Sequence, residues 1–315
     1  LASKAARCRL AAGGKADLVE FGFRRTHGIE AGVLGARCAA LVGFRGTSNM
    51  EASRRFGLTP SGTMAHSYVE TFPTQIDAFR AFATDLPGQA IFLVDTYDTE
   101  SGVHDAATVI AELGLEDRAG IRIDSGDLIE ESHKARARLD EAGLTRVRIY
   151  VSGGLDEHDV ARLVASGAPI DAFGIGTKLG VSADAPVLDS AYKLVAYAGE
   201  PAMKLSAGKV SLPGAKQVFR RPGMSDCLGL ADEPVPPGAE ALLQPVMAQG
   251  ARLFPSGTAS TALDEARWRF EADLEQLPDE LRALEPGPAP AVEHTEALRS
   301  LTDEVTARLR GGRPG

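Results

Sequence analysis

One short stretch of the chain combines a potential nucleophile with hydroxyl groups and small residues. It runs from Ser61 to Tyr68, reads Ser-Gly-Thr-Met-Ala-His-Ser-Tyr, and has His66 as its imidazole. A neutral imidazole can attack phosphorus, the Thr63 hydroxyl can donate to phosphate oxygens, and Gly62 lets a ligand approach the backbone. The stretch fits a site that takes up and releases a phosphoryl group. Taken alone, such a stretch is more often a helix-capping turn with an incidental histidine.

Between residue 17 and about residue 180, short apolar runs alternate with polar corners and amphipathic helices. Each run is predicted to be a buried strand, and the runs are 18–21, 40–44, 91–94, 120–123, 147–151 and 170–175. Helices are expected near 102–113 and 155–166, and the clearest one follows the fourth run, with Ser125 as its N-cap and Gly143 as its stop. Strict alternation implies parallel strands, either in an open doubly wound sheet or in a barrel.

The corners that follow these runs carry side chains suited to substrate binding. The corner residues of most interest are Asp95, Asp124, Gly153, Gly154, Gly176 and Thr177. In a βα barrel such corners meet at one face of the sheet. Glycine corners and helix N-termini can hold phosphate oxygens, and carboxylates can bind hydroxyl groups. The corners therefore predict a pocket for a phosphorylated, hydroxylated substrate.

Composition excludes several other classes of protein. The formal net charge of −9 argues against a nucleic-acid partner, and no segment is long and apolar enough to span a bilayer. Cys8, Cys38 and Cys227 show no paired metal-binding pattern, so we expect a reducing cytoplasm and no structural zinc. The histidines lack the spacing of metal ligands, so no protein-held metal is predicted. The chain has no Walker A motif, so ATP, if used, is bound by other means.

The pattern changes at about residue 190. We predict an α/β barrel core over residues 1–190 and, over residues 191–315, the remaining barrel elements, a β-rich flanking module and C-terminal helices. Antiparallel hairpins are expected over 192–205 and near 217–220, because alternating runs surround Gly and Pro turns. A long helix is expected near 262–283, followed by a proline-rich link at 286–290 and a last helix near 294–309.

Six motifs resemble the nicotinate phosphoribosyltransferase family, in the same order and over essentially the whole chain. They are EFGFRR (20–25), FRGTSN (44–49), GTMAH (62–66), RIDSGD (122–127), AFGIGT (172–177) and KVSLPG (209–214). The resemblance implies an irregular TIM-like α/β barrel with a smaller, incomplete β-rich flanking domain. It also implies transfer of phosphoribosyl from phosphoribosyl pyrophosphate to the ring nitrogen of nicotinate, in NAD biosynthesis, coupled to ATP hydrolysis through a phosphorylated histidine.

The resemblance implies a role for each candidate site residue. His66 would be the phosphorylated histidine, and Thr63 and Arg122 would hold nicotinate, with Arg122 as the cation for its carboxylate. The other expected contacts are Gly153, Gly154, Gly176 and Thr177 for the ribose 5-phosphate, Asp95 and Asp124 for ribose hydroxyls or Mg²⁺-pyrophosphate, and Glu20 and Arg24 near the base. The cofactors implied are ATP and Mg²⁺, the latter bound mainly through substrate phosphates.

The family normally forms a homodimer and has an N-terminal segment whose tyrosine stacks on the pyridine ring in the partner's site. This chain starts with Leu1 at the helix that would follow that segment, so we expect a truncated member of the family. Two alternatives stay open. One is a catalytically impaired remnant that binds ligand or pairs with an intact subunit. The other is a decarboxylating quinolinate phosphoribosyltransferase, which has a related barrel but uses no phosphohistidine.

Overall fold

The computed structural model describes residues 1–88, 90–253, 259–285, 287–288 and 290–311. The chain divides into two compact units. The first consists of Leu1–Pro186 with Gly257–Glu271, and the second of Val187–Ser256 with Ala272–Gly315. All the site residues predicted from the sequence belong to the first unit.

Six parallel strands form the centre of the first unit. They are β1 (Asp17–Glu20), β2 (Gly46–Thr47), β3 (Ile91–Leu93), β4 (Gly120–Ile123), β5 (Arg148–Val151) and β6 (Ala172–Ile175). Their order in the sheet is β2-β1-β6-β5-β4-β3. Successive strands are neighbours and the last pairs with the first, which is the order of a barrel opened between β2 and β3. The predicted irregular α/β barrel is therefore confirmed, and the doubly wound alternative is wrong because such a sheet reverses its strand order at a switch point.

Helices connect the strands of the first unit. They are α1 (Ala2–Ala12), α2 (Ile29–Leu41), α3 (Met50–Phe56), α4 (His66–Val69), α5 (Gln75–Asp85), α6 (Thr99–Leu113), α7 (Leu128–Glu141), α8 (Glu157–Ala165) and α9 (Thr177–Gly180). Large side chains from helices and strands meet in the core, among them Phe79 of α5, Phe92 of β3 and Phe173 of β6, all fully buried. Each such side chain stabilises the fold by about 1.5–3 kcal/mol relative to exposure.

Two local predictions within the parallel-strand region are wrong. The run 40–44 is not a strand, because Val33, Ala36 and Ala40 recur at helical spacing, pack with Leu263 and carry α2 on through Leu41. The strand of this region is the shorter β2.

The predicted N-cap of α7 is also wrong. Asp127 caps this helix, and its Oδ1 accepts hydrogen bonds from the backbone N–H groups of Ile129 and Glu130. Gly126, at φ 80°, makes a left-handed turn between Ser125 and the helix, so the Ser125 hydroxyl is free to bond elsewhere.

The second unit contains small sheets and helices. Its strands are β7 (Ala196–Tyr197), β8 (Glu200–Pro201), β9 (Lys216–Arg221), β10 (Ser225–Leu230), β11 (Glu240–Ala241), β12 (Met247–Ala248), β13 (Ala251–Arg252) and β14 (Glu293–His294). β7 and β8 form an antiparallel hairpin, as do β12 and β13, while the order β11-β9-β10-β14 makes a four-stranded sheet. The hairpin expected over 192–205 is present but shorter, with its strands at β7 and β8.

Three helices complete the described chain. They are α10 (Ala259–Gln276), α11 (Asp279–Arg282) and α12 (Glu296–Gly311). The single helix expected near 262–283 is divided because Pro278 cannot continue α10 and instead precedes the first turn of α11. The predicted link at 286–290 lies partly outside the described residues. None of the described helices is both long and apolar enough to cross a membrane.

Candidate functional site

The predicted site residues lie at or just after the carboxyl ends of the parallel strands. Glu20 ends β1, Asp95 follows β3, and Asp124 follows β4. Gly153 follows β5, and Thr177 begins α9 directly after β6. Because parallel strands direct their carboxyl ends to the same edge of a sheet, one edge carries these five residues.

The corner after β1 is tied to β2 through Glu20. This buried carboxylate accepts hydrogen bonds from the backbone N–H of Gly22 and from Thr47 Oγ1, the latter at 2.5 Å. Burial raises the pKa of Glu20, and the two donors oppose this effect. Both carboxylate oxygens are therefore engaged by the chain itself, which makes Glu20 a link between β1 and β2.

The corners after β3, β4 and β5 form one connected polar group. Asp95 Oδ2 accepts from the Asp124 backbone N–H at 2.9 Å and from Ser125 Oγ at 2.6 Å, and the Asp124 carboxylate accepts from the Ser152 hydroxyl. A Cβ on Gly153, which has φ 108°, would lie 2.2 Å from the Asp124 carbonyl oxygen, so only glycine fits there. Asp95 Oδ1 is buried and has no hydrogen-bond partner among the described residues.

Arg122 places a fixed cation beside this group. Its Nη2 donates to the Met64 carbonyl oxygen at 3.1 Å, and its guanidinium carbon lies 6.0 Å from the centre of the Phe21 ring. Burial lowers the pKa of Arg122, whereas the nearby carboxylates of Asp124 and Asp95 act in the opposite direction. A guanidinium stays charged in such surroundings. Its Nε is buried and lacks a partner within the described chain, so the site contains a cation with an unused donor.

His66 lies on a segment that fills the opening of the sheet. The Thr47 backbone N–H donates to the Thr59 carbonyl at 3.1 Å, and the Ser61 N–H donates to the Thr47 carbonyl at 2.9 Å, so this segment runs beside β2. His66 follows as the first residue of α4, and its Nδ1 lies 3.2 Å from Thr96 Oγ1, which follows β3. The segment thus joins β2 to β3 across the opening.

The corner after β6 packs closely on the corner after β1. A Cβ on Gly174 would lie 2.6 Å from the Phe21 ring, and a Cβ on Gly176 would lie 3.3 Å from the Phe21 carbonyl oxygen. Gly176 then precedes Thr177, the half-buried first residue of α9. These glycines bring the backbone at the start of α9 to the same edge as Glu20.

A cavity of about 440 Å³ lies beside this corner. It is lined by Gly126, Asp127, Leu128, Gly153, Gly154, Leu155, Asp159, Arg162 and Lys178. The predicted phosphate contacts Gly153 and Gly154 therefore face open space next to the residue that follows Thr177.

Two further predicted residues lie next to Arg122. The Thr63 hydroxyl donates to the Met64 carbonyl oxygen at 3.2 Å, which is the same atom that Arg122 contacts. Arg24 is exposed in a 3₁₀ turn, Phe23–Arg25, and its positive charge also acts to lower the pKa of Arg122. The structure thus brings Thr63, Arg122 and Arg24 into one neighbourhood.

Sequence reasoning missed the partners of the predicted residues. Thr47, Thr96 and Ser152 hold Glu20, His66 and Asp124 respectively. Each of these hydroxyls stands at the end of a strand or in the corner that follows one, which is the signal that could have identified them. The Met64 carbonyl left no signal, because any residue type supplies a backbone oxygen.

The comparison with protein-family models gives one match. Residues 16–206 match the model of the nicotinate phosphoribosyltransferase (NAPRTase) family, which is more than half of the chain. This stretch contains β1 to β6, all their corners and the predicted site residues.

Similar proteins carry the same name. The chain is 48% identical over 290 residues to the nicotinate phosphoribosyltransferase pncB2 of Mycobacterium tuberculosis, covering 90% of this chain and 61% of that protein. It is 43% identical over 251 residues to the nicotinate phosphoribosyltransferase of Bacillus subtilis, covering 75% of this chain and 50% of that protein. The chain therefore spans between half and three-fifths of the length of these two relatives.

A solved structure has the same fold. The crystal structure of human nicotinic acid phosphoribosyltransferase matches with a TM-score of 0.77 at 29% identity, covering 97% of this chain and 74% of that chain. Fold, motif order and family model agree, and this chain belongs to the nicotinate phosphoribosyltransferase family.

Proposed function

We propose that this chain transfers phosphoribosyl from phosphoribosyl pyrophosphate to nicotinate, forming nicotinate mononucleotide for NAD biosynthesis, with coupled ATP hydrolysis through His66. The observation that carries the proposal is the guanidinium of Arg122, whose buried Nε has no partner within the described chain. A flat anion beside Phe21 would complete its hydrogen bonding, and the carboxylate of nicotinate is such an anion.

Arg122 orients the base as well as binding it. A neutral pyridine nitrogen is a weak nucleophile, so its rate of attack depends on being held in line with the sugar. Phe21 packs against the guanidinium, and the Met64 carbonyl fixes one of its nitrogens, so the cation has little freedom to move. A carboxylate bound to Arg122 would hold the ring nitrogen in a defined direction.

The transfer itself needs no proton. The lone pair of the ring nitrogen forms the new bond to the anomeric carbon, the bond from that carbon to the pyrophosphate oxygen breaks, and its electron pair leaves with pyrophosphate. Positive charge develops on the sugar, so the carboxylates of Asp95 and Asp124 stabilise the transition state. In this scheme Gly153, Gly154, Gly176 and Thr177 hold the 5-phosphate through backbone N–H groups and a hydroxyl.

Mg²⁺ fits the same edge through substrate phosphates. Among the described residues, no group of three or more His, Cys, Asp or Glu side chains could hold a metal ion. Mg²⁺ usually binds through one or two carboxylates together with phosphates and water, and Asp95 offers a buried Oδ1 without a partner in the described chain. Bound there, Mg²⁺ would neutralise charge on the pyrophosphate leaving group.

His66 is the proposed carrier of the phosphoryl group. If Nδ1 carries the ring proton and donates a hydrogen bond to Thr96 Oγ1, Nε2 keeps its lone pair and is the nucleophile. Nε2 would accept the γ-phosphoryl group of ATP with ADP as the leaving group, and water would later cleave the phosphorus–nitrogen bond and release inorganic phosphate. We propose a homodimer as the assembly.

The test is a transfer assay with a matched pair of arginine variants. The purified chain is incubated with nicotinate, phosphoribosyl pyrophosphate and Mg-ATP, and nicotinate mononucleotide is measured. Arg122→Ala should weaken nicotinate by about 2–4 kcal/mol, because the carboxylate loses its charged partner. Arg148→Ala is the control, because Arg148 also stacks on an aromatic ring, 5.2 Å from Tyr150, but lies at the amino end of β5.

Three results would contradict the proposal in different ways. Equal nicotinate affinity in the parent and in Arg122→Ala would remove Arg122 from the base site. Nicotinate binding without any product would favour the catalytically impaired remnant. Conversion of quinolinate with release of CO₂ would favour the decarboxylating enzyme.

A further inference from the structure

We propose that the acidic first turn of α8 positions α9 for phosphate binding, with Lys178 as the central positioning residue. The inference rests on the proposed function, in which Gly176 and Thr177 hold the 5-phosphate of the substrate. α9 has only four residues, and so short a helix is not stable by itself. Its place at the strand edge must therefore be fixed by contacts with other elements.

Lys178 supplies the first of these contacts. Its Nζ lies 2.8 Å from Asp156 Oδ2 and 2.9 Å from Asp159 Oδ2. The two carboxylates are themselves fixed, because Asp156 Oδ1 accepts from the backbone N–H groups of His158 and Asp159, each at 3.0 Å, and Asp159 Oδ2 accepts from the Asp156 N–H at 3.2 Å. Lys178 therefore attaches α9 to a rigid capping box rather than to mobile surface groups.

The chain after α9 is tied back to the same turn. The Ala183 N–H donates to the Lys178 carbonyl at 2.9 Å, and the next residue, Asp184, pairs with Lys4 Nζ at 2.6 Å. Lys4 also pairs with Glu157 Oε2 at 2.8 Å, and Glu157 lies between the two partners of Lys178. Asp156 and Asp159 thus hold α9 directly, and Glu157 holds the segment behind α9 through Lys4.

A direct role for Lys178 as a phosphate ligand is the competing interpretation, because Lys178 lines the cavity that contains Gly153 and Gly154. The charges around Lys178 favour a positioning role over direct phosphate binding. Lys178 and Arg162 face Asp156 and Asp159, with Arg162 Nη2 3.7 Å from Asp159 Oδ1, so the two cations are balanced by two anions. Such a balanced cluster offers little net attraction for a phosphate.

Four variants separate the two roles. Lys178→Gln removes the cation, Asp156→Asn removes one of its partners, and Lys178→Arg keeps a cation that can bridge two carboxylates. Lys134→Gln is the matched control, because Lys134 Nζ also bridges two carboxylates, at 2.6 and 3.1 Å, but on the exposed face of α7. The measurements are KM for phosphoribosyl pyrophosphate, KM for nicotinate, kcat, and the melting temperature of each variant.

If Lys178 has a positioning role, Lys178→Gln and Asp156→Asn should both impair the use of phosphoribosyl pyrophosphate. Since a misplacement of about 1 Å can cost about 100-fold in rate, we expect Lys178→Gln and Asp156→Asn each to lower kcat/KM for phosphoribosyl pyrophosphate by about 10- to 100-fold. KM for nicotinate should stay near the parent value, and Lys178→Arg should recover most of the loss. The double variant that combines Lys178→Gln with Asp156→Asn should be no worse than Lys178→Gln alone, because that change already breaks the contact with Asp156.

Opposite effects would overturn the proposal. If Lys178 were a phosphate ligand, Asp156→Asn would free its charge and lower KM for phosphoribosyl pyrophosphate, while Lys178→Gln raised it. Equal kcat/KM values for phosphoribosyl pyrophosphate in Lys178→Gln and Lys134→Gln would also overturn the proposal.

Hydrogen exchange separates this proposal from the proposed function. If the parent neither binds phosphoribosyl pyrophosphate nor turns it over, the proposed function fails, and amide exchange over residues 177–183 decides the positioning role. These amides include Gly180 N–H, which donates to the Gly176 carbonyl at 2.9 Å, and Val181 N–H, which donates to the Thr177 carbonyl at 3.1 Å. Faster exchange in Lys178→Gln than in Lys134→Gln supports the positioning role, and equal exchange refutes it.

Discussion

The ion pair between Lys4 of α1 and Glu157 of α8 offers a sharp test of what holds the first unit together. Lys4 is 6% exposed and Glu157 is 0% exposed, and their charged atoms lie 2.8 Å apart. Replacing Lys4 by Met keeps a long, unbranched side chain but leaves the Glu157 carboxylate in the interior without its ammonium partner. A buried carboxylate that loses its partner is strongly destabilising.

The neighbouring residues set the size of the effect. Breaking a buried ion pair typically costs about 3–5 kcal/mol. In Lys4→Met, Glu157 Oε1 still has Arg7 Nε as a partner at 3.1 Å. Asp184, which also loses Lys4, is 46% exposed and can bind water instead. We therefore expect a cost at the lower end of that range. A loss of about 3 kcal/mol corresponds to a decrease in melting temperature of about 6–12 °C for a domain of this size.

The assay is calorimetry together with urea unfolding followed by circular dichroism at 222 nm. The decisive comparison is the double variant Lys4→Met with Glu157→Leu, because two well-packed apolar side chains commonly replace a buried pair without loss of stability. We expect the double variant to recover most of the stability that Lys4→Met loses. Lys134→Met, which removes an exposed lysine of α7 that also bridges two carboxylates, should leave the melting temperature unchanged.

Two outcomes would refute this reasoning. If Lys4→Met and Lys134→Met have the same melting temperature, the buried Lys4–Glu157 pair contributes no more to stability than an exposed pair. If the double variant is as unstable as Lys4→Met, the loss comes from packing at α1 and not from an unpaired carboxylate.

The remaining predictions concern the site and its pH dependence. His66→Ala should abolish nicotinate-dependent ATP hydrolysis and the acid-labile phosphate on the protein, while some uncoupled transfer persists; undiminished hydrolysis would refute the assignment. Gly153→Ala should lower the melting temperature more than Gly154→Ala, because a Cβ on Gly153 lies 2.2 Å from a carbonyl oxygen, whereas one on Gly154 has no atom within 4 Å. Burial opposes ionisation of Asp156, but Lys178 and a backbone N–H outweigh it and lower the pKa of Asp156 from 3.8 to about 2. The ionised carboxylate therefore stabilises the fold above pH 3.8, and this contribution is lost as the pH falls from 3.8 to about 2, so urea unfolding of Asp156→Asn should depend less on pH in that window.

Much of the barrel could be predicted because buried parallel strands have a plain sequence pattern. The run 120–123 coincides with β4, and the predicted stop Gly143 lies just after α7 with a φ of 76°. The run 40–44 was misread because alanine and valine are compatible with either a buried helix or a buried strand, and only packing decides between them. Short strands such as β2 carry too few residues to show any periodicity.

The sequence predicts which residues after the strands line the candidate site, but it does not predict the hydrogen bonds between them. Polar residues after strands identified Asp95 and Asp124, but nothing in the sequence shows that Ser152 would reach across to Asp124. Such contacts depend on which strands are neighbours. The Arg122–Met64 contact is even harder to predict from residue types, because its acceptor is a backbone oxygen.

The pairing of β1 with β6 also determines when the site can form during synthesis. Asp17 pairs with Ala172, so β1 must wait for a partner that follows roughly 150 residues later. At a translation rate of about 5–20 residues per second, that wait is roughly 8–30 s. Until then β1 has β2 on one side and an unpaired backbone on the other, and the Glu20 and Gly176 corners are not yet together. The sheet therefore has high contact order, and the free edge of β1 stays unprotected until β6 has emerged from the ribosome.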